Sequence, residues 1–159
     1  AFSQEMIEVI LFEPEIPQNT GNVGRLCSFA NCRLHLIHPL GFEINDKNLR
    51  RAGMDYWKSL ELVEHKSWED FLCSPKRPKR LHLFSTHAKL TMWETSFKDG
   101  DGLLFGNEGH GVPPHVHQWF GISKVSIPRM KNGLRSLNLA VSVGIATYEA
   151  LRQISLTRF

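Results

Sequence analysis

The chain has 159 residues, 42% hydrophobic and 22% charged, with a formal net charge of +3. That length suits one domain, residues 1–159, able to bury a core without staples, and the composition excludes a disordered or low-complexity chain. No apolar run approaches the roughly 18 residues of a membrane span, and so mild a charge says little about partners.

In chain order, Met6–Phe12 (MIEVILF) reads as the first strand. The Pro-rich turn EPEIPQNTG leads into a helix near Asn22–Cys32, with Asn19 or Thr20 placed to cap it. RLHLIH is a second strand, DKNLRRAG a short helix, LELVEH a strand, and SWEDFLC a helix capped by Ser67. RLHLFST follows as a strand, then an irregular piece through KDGDG and the apolar run that enters LLFGNEGHGVP. A helix around PPHVHQWF, a strand KVSIP and a long helix from about Ser136 to Gln153 complete the chain. Strands spaced by helices predict an α/β fold, a parallel sheet covered on both faces.

The opening residues, Ala1 to Glu5, are unlike a secretory leader, so a cytoplasmic location is expected. Cys27, Cys32 and Cys73 are odd in number and lack CxxC spacing; they read as reduced core thiols. Histidines are scattered, and neither His35 with His38 nor His115 with His117 has the spacing of a helical metal pair, so no metal is expected. GxxxxGK[ST], GxGxxG and GxSxG are all absent, which argues against the common nucleotide-binding and serine-hydrolase sites.

Two basic groupings stand out: Lys47, Arg50 and Arg51 in the short helix, and Lys76, Arg77, Lys79 and Arg80 in SPKRPKR, with Trp57 and Trp68 near in sequence. Cations mixed with aromatics suit phosphate contact and base stacking, although a solvated face explains either run equally simply. In the last helix, Ala140 and Gly144, and Ser142 and Ala146, lie four apart. Small residues at that spacing allow close approach of another backbone, from the same chain or a second copy.

Three polar constellations lie beside strand ends. QNTGNVGRLC holds Asn19 and Arg25; FGNEGHG holds Glu108 among glycines; SIPRMKNGLRSLNLAVSV holds Arg135, Ser136 and Asn138. Each alone is a cap or a turn. In this order they resemble the three motifs of the SpoU branch of the SPOUT RNA methyltransferases. EPEIPQNTGN, LHLIHPLGF and LRRAGMDYW narrow the likeness to the TrmL group, which methylates the wobble nucleotide of tRNA on its ribose 2'-hydroxyl.

The resemblance implies an α/β SPOUT fold, a parallel sheet flanked by helices with a deep trefoil knot at its carboxyl end. It implies S-adenosylmethionine as methyl donor without a metal, tRNA as partner, and a homodimer whose active sites draw on both subunits. Phe84, Gly106, Ile127 and Ser136 match the positions that bind the donor; Arg25, Glu108, Ser136 and Asn138 match residues of catalysis and RNA positioning, and Asn19 the asparagine of the first motif. Asn19 and Arg25, with Arg50 and Arg51 of the basic grouping, are then expected to meet RNA. Gly106 and Gly109 then let main chain approach the donor. Because a guanidinium stays protonated, Arg25 suits stabilising a developing alkoxide better than acting as a base. After Ser136-Leu137-Asn138 the chain turns apolar at once, and MKNGLR departs from the group's usual loop, so the RNA position read is the least constrained part. Another tRNA or rRNA position, or an inert RNA-binding member of the fold, stays open.

Overall fold

A computed structural model describes residues 5–45, 47, 49, 51, 56–133 and 136–158. Its strands are β1 (Glu8–Phe12), β2 (Arg33–Ile37), β3 (Leu62–His65), β4 (Leu81–Phe84), β5 (Gly102–Phe105) and β6 (Lys124–Val125). All pair in parallel in the order β3-β2-β1-β5-β4-β6. The helices are α1 (Pro17–Ala30), α2 (Trp68–Cys73), α3 (Pro114–Phe120) and α4 (Leu139–Arg158). Lys47, Leu49 and Arg51 are also helical, in keeping with the short helix read from DKNLRRAG.

Alternation along the strands sorts the core into two layers. Val9, Leu11, Leu34, Leu36, Leu103 and Phe105 meet α1 and α4 through Val23, Cys27, Val143, Ala146 and Ala150. Ile10, Phe12, Ile37, Leu83 and Leu104 face α2 and α3 through Trp68, Phe71, Val116 and Phe120. Full burial of both sheet faces is what a parallel sheet requires.

α1 begins five residues earlier than its sequence pattern suggests. Pro17 occupies the first turn, where its missing N–H is no loss, and Ile16 is the extended cap residue with no side-chain cap bond. Asn19 and Thr20 are therefore inside the helix and do not cap it. The helix stops where Asn31 takes the left-handed conformation, a role asparagine tolerates. α4 begins at Leu139 rather than Ser136, because the Asn138 side chain caps it: Oδ1 accepts from the N–H groups of Ala140 and Val141 at 2.9 and 3.3 Å. Ser67 caps α2 as expected, its Oγ accepting from Asp70 N at 3.1 Å. Ser67→Ala should lower stability by about 1 kcal/mol in a urea titration; an unchanged midpoint would deny that cap any weight.

Several smaller readings are corrected. Cys27 and Cys32 are buried, and burial pushes the Cys32 thiol up to about 12, but Cys73 is exposed. Trp68 lies in the core, and Trp57 packs so closely on α1 that a Cβ at Gly24 would come within 2.7 Å of its ring. Neither is a free stacking platform. Among the described residues, no helix is long and apolar enough to cross a membrane.

Polar groups are buried where strands come into register. His35 Nε2 lies 2.6 Å from Glu8 Oε1, and His35 Nδ1 lies 2.8 Å from His65 Nε2. Arg33 Nη1 pairs with Glu8 Oε2 at 3.0 Å. His35 thus meets His65, not His38, which instead reaches Glu64.

Candidate active site

The strand order reverses direction between β1 and β5, leaving a crevice at their carboxyl ends, where open α/β sheets bind ligands. Two loops face each other there: 13–16 after β1 and 106–113 after β5.

Glu108 spans the gap. Its Oε1 accepts from Glu15 N at 2.8 Å; its Oε2 accepts from Ile16 N at 3.0 Å and from Asn19 Nδ2 at 3.2 Å. A carboxylate from 92 residues downstream of Ile16 thus supplies the charge at the start of α1 that no local side chain provides. Asn19 continues the chain, its Oδ1 accepting from Asn138 Nδ2 at 3.0 Å. Asn138 in turn caps α4. One run of hydrogen bonds, Glu108 to Asn19 to Asn138, ties together all three constellations.

The neighbouring residue, which sequence reasoning passed over, holds the second loop. Asn107 Nδ2 donates to Glu13 O at 2.6 Å, while its Oδ1 accepts from the amides of Gly109 and His110. An asparagine folding its own loop in this way has a sequence signal, Asn at the end of a strand among glycines. Glu13 itself sits at φ 46°, a strained conformation for a residue with a side chain, at the point the Asn107 amide clamps. Gly106 is required here, since a Cβ would lie 2.6 Å from the main chain of Gly111 as the loop doubles back. Gly109 is under no such constraint within the chain, where a Cβ would meet only ordinary contacts.

Phe84, Gly106 and Ile127 stand at one edge. Phe84 pairs in register with Phe105 and with Val125, so Gly106 follows directly at the end of one adjoining strand and Ile127 lies two residues beyond the end of the other. Phe84 stacks on Phe105 with ring centroids 4.9 Å apart, and Ile127 is half-buried against the same core. Just beyond, Ser126 N donates to Leu90 O and Ser126 O accepts from Met92 N, binding the segment after β6 to the loop after β4.

Arg25 stands apart from the hydrogen-bonded run. It lies six residues after Asn19, about 9 Å along the helix axis, and is exposed. Its guanidinium lies 4.8 Å from the ring centroid of Tyr56, with Nη2 3.4 Å from the hydroxyl. Tyr56 was not singled out in the sequence; Arg25 and Tyr56 are 31 positions apart, and only the fold joins them. Ser136 is exposed beside Asn138, and Arg51 is exposed on its helical segment. Arg50 and Arg135 lie outside the described residues.

Residues 6–148 match the model of the SpoU rRNA Methylase family. The chain belongs to that family. It is 44% identical over 150 residues to a tRNA (cytidine(34)-2'-O)-methyltransferase of Saccharophagus degradans, covering 94% of this chain and 96% of the relative. A solved structure that concerns the 2-OH methylation of C/U34 on tRNA superposes with a TM-score of 0.88 at 43% identity, covering 98% of this chain and 99% of that one. A more distant likeness, to an AdoMet-bound rRNA methyltransferase of Sinorhizobium meliloti, has a TM-score of 0.83 at 22% identity over 94% of this chain and 57% of the other; it supports the fold alone.

Proposed function

We propose that this chain transfers a methyl group from S-adenosylmethionine to the ribose 2'-hydroxyl of the wobble nucleotide, cytidine 34 or uridine 34, of tRNA. The observation that carries the reading is the Glu108–Asn19–Asn138 run, set beside the edge of Phe84, Gly106 and Ile127 in a chain so similar to enzymes of that activity.

The residues present fit the donor. Phe84 and Ile127 offer an apolar wall, and Gly106 lets the loop double back on Gly111 beside it, the space a side chain would take being filled by main chain. When bound, the donor would supply an electrophilic methyl: an O–CH3 bond would form as the S–CH3 bond broke to leave the thioether, and the hydroxyl proton would pass to solvent water. The chain's own part is alignment and charge stabilisation. Glu108 holds the start of α1 in place and Asn138 fixes the start of α4, which sets Ser136 at the donor edge. Arg25, its guanidinium supported by Tyr56, stabilises negative charge on the 2'-oxygen and engages the adjacent phosphate, and Arg50 and Arg51 contribute to holding RNA; Asn19, expected from the sequence to meet RNA, is buried with its amide shared between Glu108 and Asn138, and so acts by fixing the two helix starts.

The same reading makes residues 1–159 one catalytic domain, cytoplasmic, and a homodimer with a trefoil knot. Val143, Ala146 and Ala150 of α4 are buried within the chain, and Gly144 approaches Leu26 of α1, so small residues there serve internal packing. Val141, Ile145 and Tyr148 of α4 form a separate exposed stripe at helical spacing, with exposed Leu137 just ahead of the helix, suited to a second copy.

The test is methyl transfer to bulk tRNA lacking wobble 2'-O-methylation, followed by nuclease digestion and mass spectrometry. A new methyl on the ribose of nucleotide 34 is expected. Arg25→Lys keeps charge but loses the planar fork, and should reduce kcat about tenfold. A methyl at another position would overturn the substrate assignment, and unimpaired turnover in the variant would remove Arg25 from the chemistry.

A further inference from the structure

The amino edge of the sheet, opposite the motif loops, carries a surface of its own. The segment SPKRPKR ends where β4 begins, and the turn 121–123 ends where β6 begins, so the β4–β6 pairing brings both to one place. α3 runs back from the motif edge and delivers Trp119 between them. Arg77 is held over Trp119, its guanidinium carbon 5.6 Å from the ring centroid, and its Nε donates to Leu72 O at 3.1 Å. Lys76 and Lys79 are exposed on either side. Trp119 remains 44% exposed, and with Lys79 and Arg80 it lines a cleft of about 330 Å³.

The charge here is mostly unanswered. Arg80 is paired with buried Asp101 at 2.8 Å, but among the described residues no carboxylate pairs with Lys76, Arg77 or Lys79. A guanidinium stacked on an indole is already ordered, and so loses less freedom when it meets a phosphate. The loop is ordered too: Ser74 Oγ accepts from Lys76 N and Ser74 O from Arg77 N.

We propose that Lys76, Arg77 and Lys79, on the Trp119 platform, form a second RNA-binding surface that grips the phosphate backbone of tRNA away from the nucleotide being methylated. The proposal rests on the tRNA reading for its ligand. A four-residue strand separates this surface from the motif edge, about 13 Å, so it adds affinity without touching the reacting atoms.

The experiment compares full-length protein, wild type against Lys76→Gln/Arg77→Gln/Lys79→Gln, by filter binding to unmodified tRNA across 50–200 mM salt, alongside methyl-transfer kinetics. Three lost phosphate contacts should weaken binding at least tenfold and flatten the log–log salt slope by about 2 to 3. KM for tRNA should rise with kcat unchanged. Lys76→Gln/Lys79→Gln, which alters only exposed side chains, should show a smaller shift of the same sign, and Lys76→Arg/Lys79→Arg, which keeps both charges and leaves Arg77 on Trp119, should bind as the wild type does. Equal affinity and slope in all variants would overturn the surface. Binding that depends on the surface, in a protein that leaves nucleotide 34 unmethylated, would support the surface while overturning the assigned reaction.

Discussion

Glu108→Gln should lower kcat/KM for methyl transfer about 100-fold while the protein still unfolds cooperatively. Both carboxylate oxygens of Glu108 are in use, accepting from Glu15 N, Ile16 N and Asn19 Nδ2. Glutamine keeps the shape but turns an NH2 group toward donors that already point inward, and it removes the charge facing the start of α1. A hydrogen bond to a charged group contributes about 1.5–3 kcal/mol. Losing one such bond, with repulsion at the second oxygen, amounts to about 3 kcal/mol, or about two decades in rate if the loops must recover their geometry before reaction. The loss in global stability should be smaller, because loop 106–111 is partly exposed and can swing its amide to water. Asn19→Ala belongs in the same series. Since Asn19 donates to Glu108, the double variant should lose less than the product of the single losses. Full activity in Glu108→Gln, or an unfolded protein, would contradict an organising role.

That network shows what sequence makes legible. The three polar constellations could be picked out because each is a local pattern: glycines after an apolar run, or asparagine before a helix. Their residues' roles were less accessible. Asn19 looked like a helix cap by its neighbours, yet the helix starts earlier because Pro17 suits its first turn and Glu108 supplies the missing anion from another loop. Asn138 read as part of the last helix, whereas it caps that helix, and its bond to Asn19 depends on α1 and α4 lying side by side. The strands were readable from apolar runs, but KVSIP pairs over only Lys124–Val125, since Ser126 turns to bond the 90–92 loop. Trp57 and Trp68 drew attention by proximity to basic runs, whereas the aromatic that meets one of those runs is Trp119, carried there by a helix from the other edge.

The largest expected effect on stability comes from Glu8→Ala, about 3–5 kcal/mol, because it takes the carboxylate away from a buried cluster. Glu8 and Arg33 are each less than a tenth exposed, and His35 is fully buried. The alternation of EVILF puts Glu8 on the same sheet face as Ile10, and the β1–β2 register sets Arg33 beside Glu8 and His35 beside Ile10. Glu8 thereby answers both a guanidinium and an imidazole, while the other carboxylate on Arg33, Glu61, lies at the half-exposed rim. Glu8→Gln retains an acceptor and the volume, and should lose less. His65 gives the cluster a pH dependence. Burial, helped by neighbouring His35 and Lys76, holds His65 down to about 4 from an ordinary 6.5. The unfolded chain therefore binds the proton first as pH falls. The stability from keeping His65 neutral is fully present above about 6.5, declines through the interval, and is gone by about 4, a change of about 3 kcal/mol. Urea midpoints measured at pH 8, 6 and 5 should fall in that order, and His65→Phe, which cannot take up a proton, should flatten the decline. A wild-type midpoint that stayed level from pH 8 to 5 would show that His65 titrates alike in the folded and unfolded chain.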